Sequence, residues 1–324
     1  MNSLRIAFFG TPDFAVPTLT RLFRSRHPVV GIVTQPDRPR DRGQHLTIGP
    51  VKRVALEHNL PVLQPERMKD EAFLEALRGW RVDLGVVAAY GRILPTILLE
   101  LPRLGMINVH ASLLPKYRGA APIQRAVMAG EPETGITIIR LVQELDAGPM
   151  LASLGHSIGS EETSAEVEAR LAVLGAALLV TVVDQLATGQ AVEIPQDPTE
   201  ATYAPRLSKQ EGLIEWTQSA ESIHNRIRGL QPWPHAFTFL ESTRYIILRS
   251  RIEPSIPTVA GFHDARPGEV VAVSGEQLLV KCGDGPLLAI LEIQPEGRRP
   301  LEVREFLAGY HMQPGLVFDA PSKV

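Results

Sequence analysis

Short apolar runs alternate with helical stretches through the first half of the chain, and this alternation limits the possible folds more than any other feature. Each run is about as long as one strand and is bounded by Gly, Pro or polar residues. Such a pattern predicts an α/β domain built on a Rossmann-like, mostly parallel sheet with crossover helices. The predicted strands are residues 5–9, 29–34, 84–88, 106–110 and 136–141.

The stretches between these runs predict helices, at residues 17–24, 68–78 and 124–130. A longer helix is predicted after Thr163, because Thr163-Ser-Ala-Glu166 is a capping box and apolar residues follow it at helical spacing. The first strand-to-helix turn reads Gly10-Thr-Pro-Asp-Phe-Ala and lacks the G-x-G-x-x-G pattern. This difference argues against a nicotinamide dinucleotide as ligand.

The pattern changes near residue 190. Residues 191–205 are rich in Pro, Gln, Asp and Thr without periodicity, which predicts an extended linker. Beyond it, a predicted helix at 220–228 precedes short alternating strands, at residues 236–240, 245–251, 269–273, 277–281 and 287–293. Short strands separated by turns are typical of a small β-barrel. The predicted domains are therefore 1–189 and 209–324, joined by a linker at 190–208.

Composition excludes several classes of protein. The chain has 324 residues, 44% hydrophobic and 21% charged, which is typical of a soluble protein with two domains. Its net charge of −3 argues against indiscriminate binding of nucleic acid. With Cys282 as the single cysteine and no zinc-ligand spacing among the histidines, we expect neither disulfides nor a metal. We also expect no membrane span and no signal peptide, hence a cytoplasmic protein, because no apolar run approaches roughly 18 residues.

Residues 105–119 carry the strongest functional signal. Their apolar run ends in Asn108 and His110 and then breaks at Pro115. Positions two apart in a strand share a face, so the amide and the imidazole would project side by side at the end of a strand. That edge is where open parallel sheets bind ligands, and both groups could donate hydrogen bonds to one oxygen. On strand position alone, a satisfied buried polar pair is the commoner explanation.

Asp146 moves the interpretation towards catalysis. It follows the predicted strand 136–141 and precedes a turn. A carboxylate in this place could orient His110 and favour its charged form. Considered without Asn108 and His110, Asp146 could equally be a helix cap or a turn carboxylate.

Asn-x-His, followed by Ser-Leu-Leu-Pro-x-x-Arg-Gly and by Leu-Asp-x-Gly, resembles the 10-formyltetrahydrofolate-dependent formyltransferases. Along the whole chain the resemblance is closest to members that formylate methionyl-tRNA. Six further short motifs match the same family. Each motif is weak evidence alone, but their order along the chain and the length that they cover make the resemblance specific. The motifs are Phe9-Gly-Thr-Pro-Asp-Phe-Ala, Thr34-Gln-Pro-Asp-Arg-Pro, Ala89-Tyr-Gly-Arg-Ile-Leu-Pro, Gly119-Ala-Ala-Pro-Ile-Gln-Arg, Leu207-Ser-Lys and Pro232-Trp-Pro.

The resemblance implies formyl transfer from 10-formyltetrahydrofolate to the α-amine of methionyl-initiator tRNA, in translation initiation. It implies that Asn108, His110 and Asp146 are catalytic. The first two would donate hydrogen bonds to the oxyanion, and Asp146 would steady the imidazolium beside a water that removes the amine proton. The folate-binding residues that it implies are Ser112, Leu113, Leu114 and Pro115.

A basic stretch follows the second predicted strand. Its prolines and Gly43 predict an irregular, mobile loop, for which a plain solvated surface loop is the alternative. The resemblance implies that an insertion here enters the acceptor stem of the tRNA, and that the C-terminal domain is OB-like and contacts tRNA. Arginines on a loop suit phosphates and base edges. The tRNA-binding candidates are Arg38, Arg40, Arg42 and Lys52.

Two other functions stay open from the sequence. One is a folate-dependent formyltransferase that acts on a small amine, glycinamide ribonucleotide or an amino sugar. The other is a non-catalytic RNA-binding protein. The basic loop and the second domain count against the first, and the three catalytic candidates count against the second. The expected partners are thus a charged tRNA and a folate, with no metal and no membrane, for a protein expected to be monomeric.

Overall fold

The computed structural model describes residues 3–40, 45–253 and 264–319. Strands and helices alternate through the first half of the chain, as the sequence predicts. The strands of this half are β1 (Ile6–Gly10), β2 (Val29–Val33), β3 (Arg38–Arg40), β4 (His45–Thr47), β5 (Val62–Leu63), β6 (Leu84–Ala88), β7 (Met106–His110), β8 (Arg118–Gly119), β9 (Glu133–Arg140), β10 (Met150–Ser157) and β11 (Tyr203–Ala204).

In the part of the chain that the structure describes, the α-helices include every one predicted from the sequence and three that were missed. The missed ones are α2 (Pro50–Glu57), α4 (Thr96–Leu99) and α8 (Val303–Gly309), of which α4 and α8 are only four and seven residues long. The helices are α1 (Ala15–Phe23), α2 (Pro50–Glu57), α3 (Glu71–Gly79), α4 (Thr96–Leu99), α5 (Pro122–Met128), α6 (Ser164–Thr188), α7 (Ala220–Gly229) and α8 (Val303–Gly309).

The chain divides into two compact units. The first comprises the described residues up to Pro122 with Glu133–Ser157 and Glu168–Pro205. The second comprises Ile123–Pro132, Ile158–Val167 and the described residues from Arg206 onward.

A mixed, mostly parallel sheet of the Rossmann-like type forms the core of the first unit. Its strand order is β10-β9-β7-β6-β1-β2-β5, and all pairs from β7 to β5 are parallel. Strands β9 and β10 are antiparallel to their neighbours, a detail that the alternation of apolar runs does not reveal. The central strands are buried on both faces, which explains why they read as continuous apolar runs.

Helix α6 packs closely against this sheet. A Cβ added at Gly175 would lie 2.9 Å from Val109 Cγ1 and 3.4 Å from Ile136 Cδ1, so the absence of a side chain permits the approach. The predicted capping box is confirmed, because Glu166 Oε2 accepts hydrogen bonds from the backbone N–H and the hydroxyl of Thr163, both at 2.8 Å.

The expectation that no apolar run approaches a membrane span was wrong. Helix α6 has a mean hydropathy of 1.9 and is long and apolar enough to cross a membrane by length and composition. In the apolar window of this helix, 44% of residues are buried, and the core helix of a globular protein passes the same test. Helix α6 is therefore only weak evidence for or against a membrane span.

The segment after β2 also differs from the sequence interpretation. Instead of an irregular loop, β3 and β4 form a short antiparallel hairpin in which Arg38 pairs with Thr47 and Arg40 with His45. Regular pairing was missed because prolines inside the segment count against a strand.

The second unit is built on an antiparallel sheet. Its strands are β12 (Ala236–Leu240), β13 (Thr243–Glu253), β14 (Val270–Ser274), β15 (Gln277–Lys281), β16 (Leu287–Pro295), β17 (Leu301–Glu302) and β18 (Phe318–Asp319). The order is β14-β15-β16-β13-β12-β18, with β17 beside β16. The pairing of β13 with β16 shifts register at Ile247/Arg249 and Arg249/Ser250. Such irregularities bend a strand and increase its twist.

Candidate active site

Asn108 and His110 lie at the carboxyl end of β7, where the sequence predicts a site. Val109 between them faces Gly175 of α6, so Asn108 and His110 project from the opposite face of the sheet. Asn108 is half-buried, whereas His110 is buried. The amide is therefore the more accessible of the two groups.

Asp146 lies beside His110, as predicted. Its Oδ2 is 3.6 Å from His110 Nδ1, and both side chains are largely shielded from solvent. The other ring nitrogen, Nε2, lies 3.0 Å from the backbone oxygen of Tyr117. Because a carbonyl oxygen only accepts, Nε2 carries the hydrogen of this bond. Both ring nitrogens thus face acceptors of the protein in this structure.

The backbone holds the Asp146 carboxylate in place. Its Oδ2 accepts a hydrogen bond of 2.9 Å from the backbone N–H of Gly119. Asp146 itself has a φ of +46°, in the left-handed region that non-glycine residues rarely adopt. Residues held in this region often cluster at functional sites, where the surrounding structure maintains them.

Gly119 is required where it stands. Its φ is +121°, and a Cβ there would lie 2.7 Å from the backbone oxygen of Ala204. The close approach arises because β8 pairs in parallel with β11, Arg118 with Tyr203 and Gly119 with Ala204. Part of the predicted linker therefore packs against the loop that carries the site.

The predicted folate segment, residues 112–115, forms a tight turn. Ser112 Oγ donates to the backbone oxygen of Lys116 at 2.6 Å, and Thr137 Oγ1 donates to the backbone oxygen of Ser112 at 2.7 Å. Ser112 and Leu114 are buried, while Leu113 and Pro115 are half-buried. Their positions let Ser112 and Leu114 support the turn and leave Leu113 and Pro115 nearer to solvent.

Arg118 and Gln196 were not among the site residues predicted from the sequence. The buried guanidinium of Arg118 donates to Gln196 Oε1 from Nε at 3.1 Å and from Nη2 at 2.7 Å. The Gln196 amide in turn donates to the backbone oxygens of Asp146 at 2.8 Å and Gly148 at 2.7 Å. Gln196 lies in the stretch read as a linker, where a polar residue gives no periodic signal. Arg118 is part of the Arg-Gly motif that the resemblance had drawn attention to.

Two apolar side chains next to Asp146 were also missed. Leu145 is 57% exposed and Val142 is 39% exposed, although both are large and hydrophobic. They lie in the loop between β9 and β10, which contains Asp146. Exposed apolar residues beside a polar site are suited to an apolar ligand surface.

The predicted tRNA-binding residues follow β2. Arg38 and Arg40 belong to β3, and Arg42 lies outside the described residues. Lys52 Nζ forms an ion pair with Asp37 and donates to Gln64 Oε1 at 2.6 Å. Burial would raise the pKa of Asp37, but the hydrogen bonds from Lys52 and Gln64 outweigh it and lower this pKa below its usual value. The Lys52 ammonium is therefore engaged at the base of the hairpin.

Within the three ranges that the structure describes, no group of three or more His, Cys, Asp or Glu side chains is arranged to hold a metal ion.

Two family profiles match the chain. The profile "Formyl transferase" matches residues 4–183, and "Formyl transferase, C-terminal domain" matches residues 206–311. Among individual relatives, the chain is 44% identical to "Methionyl-tRNA formyltransferase" of Citrifermentans bemidjiense, over 97% of this chain and 96% of the relative. It is 46% identical to the protein of the same name from Methylococcus capsulatus, over 94% of this chain and 96% of the relative.

Solved structures share the fold at lower identity. A sugar 3N-formyl transferase, WlaRD, crystallised with dTDP and 5-N-formyl-THF, matches with a TM-score of 0.67 at 16% identity, over 92% of this chain and 100% of that one. An N-formyltransferase from Helicobacter canadensis, in complex with folinic acid and dTDP-3-aminofucose, matches with a TM-score of 0.66 at 15% identity. That match covers 89% of this chain and 98% of the other.

Proposed function

Because this chain belongs to the formyl transferase family, we propose that it transfers the formyl group of 10-formyltetrahydrofolate to the α-amino group of methionyl-initiator tRNA. The observation that carries the proposal is the identity of 44–46% over nearly the whole chain to relatives named methionyl-tRNA formyltransferase. The product would be N-formylmethionyl-tRNA, which serves translation initiation.

When bound, 10-formyltetrahydrofolate supplies the formyl carbon that the amine attacks. The protein has to stabilise the negative charge that develops on the formyl oxygen and accept a proton from the attacking nitrogen. The half-buried Asn108 amide is a neutral donor at the carboxyl end of β7, and we assign it to that oxygen. Loss of one such donor typically lowers kcat by roughly 10²–10³-fold.

His110 would be the second donor. Its Nε2–H already points at an acceptor, the backbone oxygen of Tyr117, at 3.0 Å. We propose that this hydrogen bond is exchanged for one to the formyl oxygen in the reacting complex, since catalytic hydrogen bonds often form fully only with substrate bound. The Asp146 carboxylate, 3.6 Å from Nδ1, would hold the other side of the ring during the exchange.

Asp146 would also direct removal of the amine proton. Its Oδ2 accepts from Gly119 N–H, which leaves further lone pairs of the carboxylate able to hold a water molecule. That water would take the proton from the nitrogen as the new C–N bond forms and pass it to the Asp146 carboxylate. When the oxyanion collapses, the bond between the formyl carbon and N10 of the folate breaks, and N10 leaves as a neutral amine after taking up this proton. General-base assistance of this kind contributes about 10²–10⁴-fold in rate.

The residues near the site fit a folate. Its flat pteridine ring needs an apolar surface with polar groups at one edge, and residues 112–115 were assigned to this role. Leu113 and Pro115 retain partial exposure, and Leu145 and Val142 add apolar surface beside Asp146. We propose that all four contact the ring, while Ser112 and Leu114 hold the turn that presents them.

For the tRNA, we propose that Arg38, Arg40 and Arg42 contact the acceptor stem. Arginine side chains bind phosphates with two parallel hydrogen bonds and also reach base edges. Lys52 would support the base of the hairpin through Asp37, and it could contact a phosphate only by giving up that ion pair. If Arg42→Ala leaves discrimination between initiator and elongator tRNA intact, the assignment of Arg42 fails.

The second unit would provide further tRNA contacts. We propose that its antiparallel sheet is an OB-like barrel and that residues 209–324 act as the tRNA-contacting domain, with residues 1–189 catalytic and 190–208 between them. The bulged pairing of β13 with β16 supports a curved sheet. OB-folds commonly bind nucleic acid across their strands.

We further propose that the protein is cytoplasmic and acts without a metal cofactor. We also propose that it is a monomer, since one tRNA would span both domains. Light scattering of the purified protein tests the oligomeric state. Full activity after dialysis against a chelator is expected, and loss of activity restored by a divalent cation would refute the metal-free assignment.

The direct test is to mix the protein with 10-formyltetrahydrofolate and methionyl-initiator tRNA and to measure formyl-methionine. We expect product with initiator tRNA, little with elongator tRNA, and none with glycinamide ribonucleotide or a nucleotide-linked amino sugar. Asn108→Ala should lower single-turnover rates by roughly 10²–10³-fold. Product with a small amine but not with tRNA would replace the proposal with the small-amine alternative, and no product at all would favour a non-catalytic RNA-binding protein.

A further inference from the structure

We propose that Arg118 and Gln196 are positioning residues that hold Asp146 in the conformation needed for catalysis. The proposal deepens the function proposed above and rests on it. The two side chains do not need to touch either substrate. They act on the backbone of the turn that carries the carboxylate.

The Gln196 amide is fully used in this arrangement. Its two N–H bonds point to the backbone oxygens of Asp146 and Gly148, at 2.8 and 2.7 Å. Its Oε1 accepts from two nitrogens of Arg118. A guanidinium only donates and a backbone oxygen only accepts, so the opposite orientation of the amide would place like groups against each other. The orientation of Gln196 is thereby determined.

Arg118 fixes the far side of Gln196. Its side chain is buried, and a buried charge is expected to lie against a strong acceptor. Here the acceptor is the neutral amide oxygen of Gln196, approached by Nε and Nη2 together. Two donors on one oxygen hold the amide more firmly than one, and they also polarise its N–H bonds towards the turn.

The contacts close into a ring around Asp146. Arg118 is followed by Gly119, whose N–H donates to the Asp146 carboxylate at 2.9 Å. Strand β8 is therefore linked to Asp146 in two ways. Gly119 N–H binds the carboxylate directly, and Arg118 holds the Gln196 amide that binds the Asp146 backbone oxygen. Pairing of β8 with β11 ties Gln196 and β8 to the same short segment. The carboxylate cannot shift without breaking contacts at both ends.

Asp146 needs such support because of its backbone. A φ of +46° is unfavourable for a residue with a side chain, so the turn would relax if its carbonyl groups were released. Relaxation would move the carboxylate away from His110. A displacement of about 1 Å in a catalytic group can cost roughly 10²-fold in rate.

The test changes one side chain at a time. Gln196→Glu keeps an acceptor for Arg118 but has no N–H for the two backbone oxygens and sets an anion against them. Arg118→Lys keeps the charge but loses the two-nitrogen contact. We expect kcat to fall by about 10–10²-fold in both variants, with KM for each substrate within about twofold, because neither residue is proposed to bind substrate.

Glu193→Gln is the matched control. Glu193 lies three residues before Gln196, and its carboxylate accepts from Arg140 Nε at 2.6 Å, not from the Asp146 turn. This variant should retain the kcat of the wild type. A general loosening of the segment would lower kcat in all three variants together. The proposed role predicts losses only in Gln196→Glu and Arg118→Lys, the two variants of the Arg118–Gln196 clamp.

An activity-independent readout separates this proposal from the proposed function. Histidine-selective ¹⁵N NMR of His110, assigned with His110→Asn, should show changed ring shifts in Gln196→Glu and Arg118→Lys but not in Glu193→Gln. Unchanged kcat and unchanged His110 shifts in either folded clamp variant would overturn the proposal while leaving wild-type formylation intact. Absence of product from the wild type would instead refute the proposed function, and the NMR comparison would still decide whether the clamp positions Asp146.

Discussion

The imidazole of His110 faces the carboxylate of Asp146, with 3.6 Å between Nδ1 and Oδ2. The two side chains come from separate parts of the chain, the end of β7 and the loop after β9. Both are shielded from solvent, so that their interaction is less screened than that of a surface pair.

Replacing Asp146 with Asn should lower kcat by about 10²–10⁴-fold, because an amide is not a base for a bound water. The size of the side chain is retained, and an amide oxygen can still accept from Gly119 N–H. Single-turnover formylation at saturating substrate measures the effect.

Asp184→Asn is a matched control for that variant. Asp184 Oδ1 lies 3.0 Å from His27 Nε2, so it also pairs a carboxylate with a buried histidine. His27 precedes β2 and thus lies at the opposite edge of the sheet from His110. Asp184→Asn should keep normal kcat. Equal losses in the two variants would mean that the effect of Asp146 is general destabilisation.

Gly119→Ala should destabilise the protein by about 1–3 kcal/mol and reduce kcat, because φ of +121° and the 2.7 Å approach to Ala204 leave no room for a Cβ. Any relief of this contact moves the N–H that holds Asp146. Thermal unfolding and single-turnover rates measure the two effects. Gly79→Ala, in α3 at a position where the added Cβ meets nothing within 4 Å beyond its own helix backbone and chain neighbours, should lower neither stability nor kcat, and a neutral Gly119→Ala would contradict the assignment.

Glu166→Gln should make stability depend less on pH. Hydrogen bonds from Thr163, and then Arg249, lower the pKa of Glu166 from 4.5 to about 2. Because this pKa is lower in the folded state, the stabilisation is complete above about 4.5 and disappears as pH falls through about 2. The Glu166 side chain is 44% exposed, so we expect its charge to add only about 0.5 kcal/mol to the free energy of unfolding at pH 7.

Urea unfolding between pH 7 and pH 2 measures this difference. The wild type should exceed Glu166→Gln in unfolding free energy at pH 7 and converge with it at the acid end. A difference that stays constant over this range would show that the charge of Glu166 is not responsible.

The salt dependence of tRNA binding should separate Lys52 from the arginines. Each lost phosphate contact reduces the slope of log affinity against log salt by about 1. Arg40→Gln is therefore expected to reduce the slope, whereas Lys52→Gln should leave it unchanged because the ammonium is engaged by Asp37. An equal reduction in both variants would place Lys52 in direct contact with tRNA.

Local patterns were sufficient for much of the fold. Strands β6 and β7 occur at the predicted residues, because their apolar runs are uninterrupted and bounded by polar residues or turns. Strand β10 was missed since Leu151 is its one buried residue and Met-Leu-Ala-Ser-Leu-Gly-His-Ser shows no strict alternation of apolar and polar residues. Helix α4 was missed because a four-residue helix is too short to show helical periodicity.

The sequence by itself determined that Asn108 and His110 share one face of a strand end, because side chains alternate along any strand. It also pointed to Asp146 as their partner. Only the tertiary structure decided how that carboxylate is held, through Gly119 from one loop and Gln196 from a segment 50 residues away. Such hydrogen bonds depend on distances across the folded chain, and no local propensity or periodicity encodes them.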